Sequence, residues 1–300
     1  MSTSLQPRLL PRLTFVLLAL IFAGVLLLGR SVRRDRPIQS TSRSLSLLIS
    51  PTPTTASGNH PLLVVVVLSH VVNRHRRTAI RQSWARHAQN SNCSLLFVVG
   101  TTADANVSGE SQLHGDIIQV NVQENYHRLA YKLKPAFAYV LEHVNFDYLL
   151  KTDDDVFVNL PLLISQLLLN DDSKKATNTM LGYQILGATA PTNQSDKYFA
   201  LQLMAQLIPP YLSGTGYVMS RQVLRNVIEC PLGPMPYEDV YFTGICREHF
   251  NITLEHSELF GYSRRQFVPC ALRRSVIAHG LSAEQMTSAY TMTLSSNWRC

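Results

Sequence analysis

Three aspartates in a row, Asp153-Asp154-Asp155, stand between the apolar runs Tyr148-Leu149-Leu150 and Val156-Phe157-Val158. Adjacent carboxylates repel, and holding them against buried surface costs several kcal/mol unless a counter-charge neutralises them. A divalent cation does this economically, and hard oxygen ligands at the end of a buried strand suit manganese or magnesium. Open α/β sheets bind ligands just beyond the C-terminal ends of their strands. The segment therefore reads as a metal site carrying a metal-bound phosphate. The plain alternative is an acidic surface turn, which the apolar flanks on both sides disfavour.

Other residues could join this chemistry, and each has an ordinary use as well. Glu238-Asp239 precedes the apolar Val240-Tyr241-Phe242. Such a pair is either a helix N-cap or a general base with a neighbouring carboxylate that orients it. His279 ends the run Val276-Ile277-Ala278 and is either structural or a metal ligand. Arg77 and Arg81 share one helical face, which suits a pyrophosphate or simply water. Tyr211 to Ser220 carries Gly214 and Gly216. The two glycines allow close backbone approach to a ligand, or a tight hairpin with packed tyrosines.

The elements that must position these groups alternate. Apolar runs at Leu62–Leu68, Leu95–Val99, Asp116–Val120 and Phe146–Lys151 read as buried strands. Arg74–Gln89, Leu129–Val144 and Leu160–Leu169 read as helices, with Pro135 expected to bend or restart the second. This alternation is the α/β pattern. The second half is less regular, and there the reading is loops, a mixed extension of the sheet and a substrate cleft.

The chain has 300 residues, 46% hydrophobic and 16% charged, with a formal charge of +7. A basic balance suits an anionic substrate, a membrane surface or nucleic acid. The absence of a dense basic block with interleaved aromatics argues against nucleic acid. Leu13 to Leu28 is uncharged and almost wholly apolar, close to the lower limit of about 17 residues for a membrane span. A cleaved signal peptide has a core of roughly 7–15 residues and a small-residue cleavage site. This run is longer, and Gly29-Arg30-Ser31 is a poor site, so an uncleaved anchor is expected.

The expected order is a tail at 1–12, an anchor at 13–29, a flexible stem at 30–60 and a globular domain at 61–300. An apolar patch, Leu45 to Ile49, interrupts the stem without explanation. More arginines follow the anchor than precede it, which by simple counting opposes a cytoplasmic N-terminus. Four glycosylation sequons, at Asn92, Asn106, Asn193 and Asn251, outweigh that count and favour a lumenal domain. Five cysteines without a CxxC pair predict one or two disulfides and a leftover thiol, with terminal Cys300 the natural odd one.

Taken in order, Arg77-x-x-x-Arg81-x-x-Trp84, Phe97-Val98-Val99-Gly100, Glu124-x-Tyr126 with Lys132, KTDDDVFVN (151–159), Pro210-Tyr211-x-x-Gly214-x-Gly216-Tyr217, Glu238-Asp239-Val240 and His279 resemble the β1,3-galactosyltransferases. Their relatives, the β1,3-N-acetylglucosaminyltransferases and the fringe enzymes, share the pattern. The resemblance runs from about Pro61 to Trp298. It implies a type II Golgi membrane protein with a GT-A nucleotide-sugar-binding fold, a Rossmann-like mixed sheet flanked by helices. It implies an inverting transfer of galactose from UDP-galactose to the 3-hydroxyl of a glycan acceptor on protein or lipid, using Mn2+ or Mg2+. UDP-N-acetylglucosamine is the alternative donor, and a catalytically silent binding or chaperone protein the alternative role.

Carried over residue by residue, the resemblance makes Asp155 and His279 metal ligands and places Asp153 by the ribose or the metal's water shell. It makes Asp239 the base. It puts Arg77, Arg81, Lys132, Asp153 and Asp154 on the donor side, and Tyr211, Gly214, Gly216 and Glu238 on the acceptor side. It pairs Cys246 with Cys270. Two features depart from the family pattern. His127-Arg128-Leu129-Ala130 replaces an Asn and a Thr with Arg128 and Ala130, and EDVYFTGIC is one residue longer than the common form.

Overall fold

The computed structural model describes residues 46–51, 60–90, 92–169, 178–189, 208–232, 237–295 and 300. The expected tail and anchor, most of the stem and the sequon at Asn193 lie outside these residues. Among the described residues no helix is long and apolar enough to cross a membrane.

The centre is β2 (Leu63–Leu68), whose six residues are all buried. It pairs in parallel with β3 (Cys93–Thr101) on one side and β5 (Tyr148–Asp153) on the other. Side chains alternate across a strand, so Val64, Val66 and Leu68 enter one core and Leu63, Val65 and Val67 a second. Each such buried side chain contributes about 1.5–3 kcal/mol, which is why a continuous apolar run marks a strand covered on both faces. The first core is closed by α4 (Leu129–His143) and α6 (Arg221–Glu229). The second is closed by α1 (Arg74–Gln82), α5 (Leu160–Leu169) and α8 (Ala283–Leu294).

The sheet order is β1-β4-β3-β2-β5-β8-β7-β9, a mixed eight-stranded sheet among the described residues. Its remaining strands are β1 (Leu47–Ile49), β4 (Ile117–Gln123), β7 (Thr179–Ile185), β8 (Tyr211–Ser220) and β9 (Thr253–His256). The α/β class and the mixed extension follow the sequence reading, and three local expectations change. The helix expected over 74–89 breaks at Ser83–Ala85 into α1 and α2 (Arg86–Asn90). Trp84 sits fully buried in that break, its indole Nε1 donating to the Val156 carbonyl at 3.1 Å. Helix α4 runs on through Pro135, held by the burial of Leu133, Ala136, Phe137 and Val140. The glycine segment at 211–220 is a ten-residue strand, not a tight hairpin.

The apolar patch in the supposed stem also belongs to the sheet. β1 pairs antiparallel with β4, with Leu47 opposite Val120, and so covers an otherwise bare strand edge. The Tyr139 hydroxyl donates to the carbonyl of buried Pro51 at 2.6 Å. The globular fold therefore starts before the boundary at 61.

The cysteine pairing expected from the resemblance is overturned. The disulfides are Cys230–Cys246 and Cys270–Cys300, and Cys93 is the free thiol. Cys230 follows α6 directly and meets Cys246 at the end of the π-helical segment Val240–Cys246. Cys270 lies in α7 (Pro269–Arg273), which packs on α8, and so reaches the chain end. By loop-closure entropy each bridge contributes about 3 kcal/mol. Burial pushes the Cys93 thiol up to about 11.

Candidate active site

Strand β5 delivers Asp153 at its C-terminal end, and the chain then turns into the short strand β6 (Phe157–Val158). β6 pairs antiparallel with β10 (Ile277–Ala278), and the Leu281 amide donates to the Asp155 carbonyl at 3.0 Å. This pairing brings His279 near Asp155. On the other side of β5 runs β8, antiparallel, with Thr152 opposite Gly216 and its hydroxyl donating to the Thr215 carbonyl at 2.8 Å. Gly214 therefore sits just past the strand end.

There it meets Glu238-Asp239. Asp239 caps the 240–246 segment: Oδ1 accepts from the Val240 amide at 2.8 Å, and Oδ2 from the Gly214 amide at 3.0 Å. The cap reading of the acidic pair holds, and the cap fixes a half-buried carboxylate beside Gly214. Desolvation by burial raises the Asp239 carboxyl above the ordinary aspartate value, against the pull of Lys151 and the two amides.

Lys151 joins the two acidic turns. Its side chain is fully buried, and Nζ donates to Asp153 Oδ1 at 2.9 Å, to the Gly214 carbonyl at 2.7 Å and to Glu238 Oε1. Glu238 Oε2 accepts from the Tyr217 hydroxyl at 2.8 Å. Burial opposes the Lys151 charge, yet Asp153 and Glu238 outweigh it and hold the ammonium above the usual lysine range. Burial drives Glu238 up to about 7.

The three aspartates do not share one cage. Asp153 is tied to Lys151. Asp154 is buried and takes the Ser69 hydroxyl at 2.7 Å, Asn73 Nδ2 at 2.9 Å and Arg76 at 3.3 Å. Asp155 stays half-exposed, with Arg76 at 3.8 Å. Among the described residues no three metal-ligating side chains cluster. Protein cations and hydroxyls thus supply part of the neutralisation that the sequence reading assigned wholly to a metal, and Asp154 spends three of its roughly four acceptor sites within the protein. Asp155 and His279 still fit a cation between them. Burial first, then Asp153 and Asp154, raise the Asp155 carboxyl, and His279 Nδ1 is buried without a partner.

The arginines and lysine expected on the donor side belong to the frame. Arg77 is fully buried, bonded through Nε and Nη2 to Glu110 at 2.9 and 2.7 Å and to the His70 and Val71 carbonyls. Glu110 lies in α3 (Ser108–His114), and Arg81 bridges it and Asp116. Lys132 is buried against Glu124 and donates to the Ser69 carbonyl at 2.6 Å. Glu124 in turn accepts from the Val71 and Gly100 amides at 2.9 and 2.7 Å. These pairs brace the loop after β2 from beneath; they cannot also grip a diphosphate. The half-exposed cation at the aspartate turn is Arg76, one residue from the position that the motif suggested.

On the acceptor side, Tyr211 is half-buried at the start of β8. Glu238 is buried, with its two oxygens taken by Lys151 and Tyr217. Gly216 is a packing glycine, because a Cβ there would lie 2.9 Å from Ile277 Cδ1. Gly214 is confined by the acidic pair: a Cβ would lie 3.0 Å from Asp239 Oδ2 and 3.1 Å from Glu238 Oε1. Gly214→Ala should therefore displace Asp239 and lower kcat by up to about 10²-fold. Steady-state kinetics against the wild type check this. In the first departure from the family pattern, Ala130 is buried in α4 and Arg128 is exposed. Sequon residues Asn92, Asn106 and Asn251 are exposed.

A family profile described as Galactosyltransferase matches residues 75–258. The chain is 32% identical over 256 residues to UDP-GalNAc:beta-1,3-N-acetylgalactosaminyltransferase 1 of Sus scrofa, covering 79% of this chain and 76% of that protein. It is 30% identical over 278 residues to Beta-1,3-galactosyltransferase 1 of Mus musculus, covering 89% and 84%. Among solved structures it resembles the mannosyltransferase PcManGT of Pyrobaculum calidifontis in complex with GDP-Man and Mn2+. There the TM-score is 0.40 and the identity 12%, over 77% of this chain and 64% of that one, a likeness too slight to bear on chemistry. A profile match across the aspartate and Glu-Asp turns, with relatives aligned over most of their length, leaves one conclusion: the chain belongs to the galactosyltransferase family and is a β1,3-glycosyltransferase.

Proposed function

We propose that this enzyme transfers galactose from UDP-galactose to the 3-hydroxyl of an acceptor sugar with inversion, in a GT-A arrangement. The observation that carries the reading is Asp239, fixed by two backbone amides and held through Lys151 in one network with the aspartate turn. The acceptor hydroxyl oxygen attacks the anomeric carbon from the face opposite UDP, and its proton passes to Asp239. The bond from the anomeric carbon to the diphosphate oxygen breaks, and UDP leaves with the electron pair. One displacement turns an α-linked donor into a β-linked product. Raising the Asp239 carboxyl by burial makes it a better base.

Asp155 and His279 would hold a manganese or magnesium ion, which stabilises the charge that gathers on the departing diphosphate. Arg76 takes the diphosphate-facing role expected of Arg77, because it is the cation left half-exposed at that turn. His279→Ala should raise the manganese concentration for half-maximal activity by about 10-fold or more. An unchanged metal titration would remove His279 from the site.

A second donor, UDP-N-acetylgalactosamine, is favoured by the 32% identity to the Sus scrofa protein named for it. Turnover with a panel of UDP-sugars separates the two. We further place the domain in the Golgi lumen behind a membrane anchor at 13–29, acting on glycoprotein or glycolipid glycans. The exposed sequons and two disulfides support an oxidising, glycosylating compartment.

A further inference from the structure

Strand β8 passes Asp239 at Gly214 and extends back through Tyr211 to Pro210, about 13 Å further out at 3.3 Å per residue. The 240–246 segment makes the same journey: Asp239 stands at its start, and Gly244 packs against Tyr211 and Pro209 near its end. At that outer point lies an open cleft of about 480 Å³, lined by Gln184, Pro210, Arg247, Glu248, Asn251 and Leu254 among others. Its polar groups are largely unused. Arg247 donates through Nη2 to the Pro210 carbonyl at 3.0 Å, while its Nε is buried without a partner. Among the described residues, the side chains of Gln184 and Glu248 make no hydrogen bond. Leu254 and the ring of Pro210 add apolar surface.

We propose that this cleft is a second carbohydrate subsite, which binds the sugars behind the acceptor residue whose hydroxyl is activated at Asp239. Spare donors, a spare carboxylate and apolar patches in one wall match the hydroxyl edges and C–H faces of a pyranose chain. A size in the range of ligand clefts agrees. The span from Gly214 is too long for the reacting sugar and suits the ones that follow it. The proposal rests on the transferase reading above and assigns its acceptor class: oligosaccharides in preference to single sugars. Asn251, on the cleft wall, is also a sequon, so carbohydrate attached to the enzyme itself is the other source of the same chemistry.

The test compares methyl glycosides with linear tri- and pentasaccharides that end in the same sugar, in an Asn251→Gln background that removes the enzyme's own glycan. Arg247→Ala and, separately, Gln184→Ala should raise KM for the oligosaccharides by about tenfold. KM for the methyl glycosides and for the UDP-sugar should stay unchanged. Equal loss with short and long acceptors, or no loss with either, overturns the subsite. A cleft that serves only the enzyme's own glycan would leave both variants silent, and that also overturns it. Lack of transfer to every acceptor by the wild-type enzyme would overturn the transferase reading, and the subsite with it.

Discussion

Asp239→Asn lowers kcat by about 10²- to 10⁴-fold, the usual contribution of a positioned general base. The amide keeps the shape, and its one oxygen can still accept from the Val240 amide, while its nitrogen faces the Gly214 N–H and cannot accept from it. The helix cap therefore survives, and the proton acceptor is lost together with the bond from Gly214. UDP affinity should not change, because Asp239 acts on the acceptor and not on the diphosphate. In the wild type, the acid limb of kcat/KM should lie above the ordinary aspartate value, in the direction set by burial. Kinetics with UDP-binding calorimetry decide the matter, and near-normal turnover by the variant would refute the assignment.

Lys151→Met should be among the most destabilising single changes. The ammonium is the shared counter-charge of Asp153 and Glu238 and is itself fully buried. Removing one partner of a buried pair costs about 3–5 kcal/mol, because the other charge is left uncompensated. For a domain of this size that is a fall in Tm of roughly 6–20 °C. Adding Glu238→Gln should recover part of the loss, since it removes a charge that Met can no longer balance. A single variant as stable as the wild type would mean that the network is not ionised as drawn.

How far the sequence could be read depends on the range of the interaction. Strands β2 and β5 were legible because burial on both faces leaves a run of adjacent apolar residues, a purely local mark. The place of the aspartate turn was legible for the same reason. Lys151 was not: a lysine before an acidic turn looks like a solvated neighbour. Its burial follows from Glu238, 87 residues away. The arginine helix shows the same limit. Spacing put Arg77 and Arg81 on one face, but only the position of Glu110, 33 residues from Arg77, makes that face the inner one and leaves Arg76 outside. Disulfide partners are likewise set by where α6 and α8 end in space, which cysteine spacing does not encode. The strand-pairing value of Leu47–Ile49 became visible only with the bare edge of β4 beside it.

The account stands most directly on the stereochemistry of one product. The enzyme is supplied with manganese, with α-linked UDP-galactose or UDP-N-acetylgalactosamine, and with a panel of methyl glycosides and oligosaccharides, and the purified product is examined by NMR. A base at Asp239 opposite the departing diphosphate predicts a new β linkage to oxygen 3 of the acceptor. An α-linked product would contradict it.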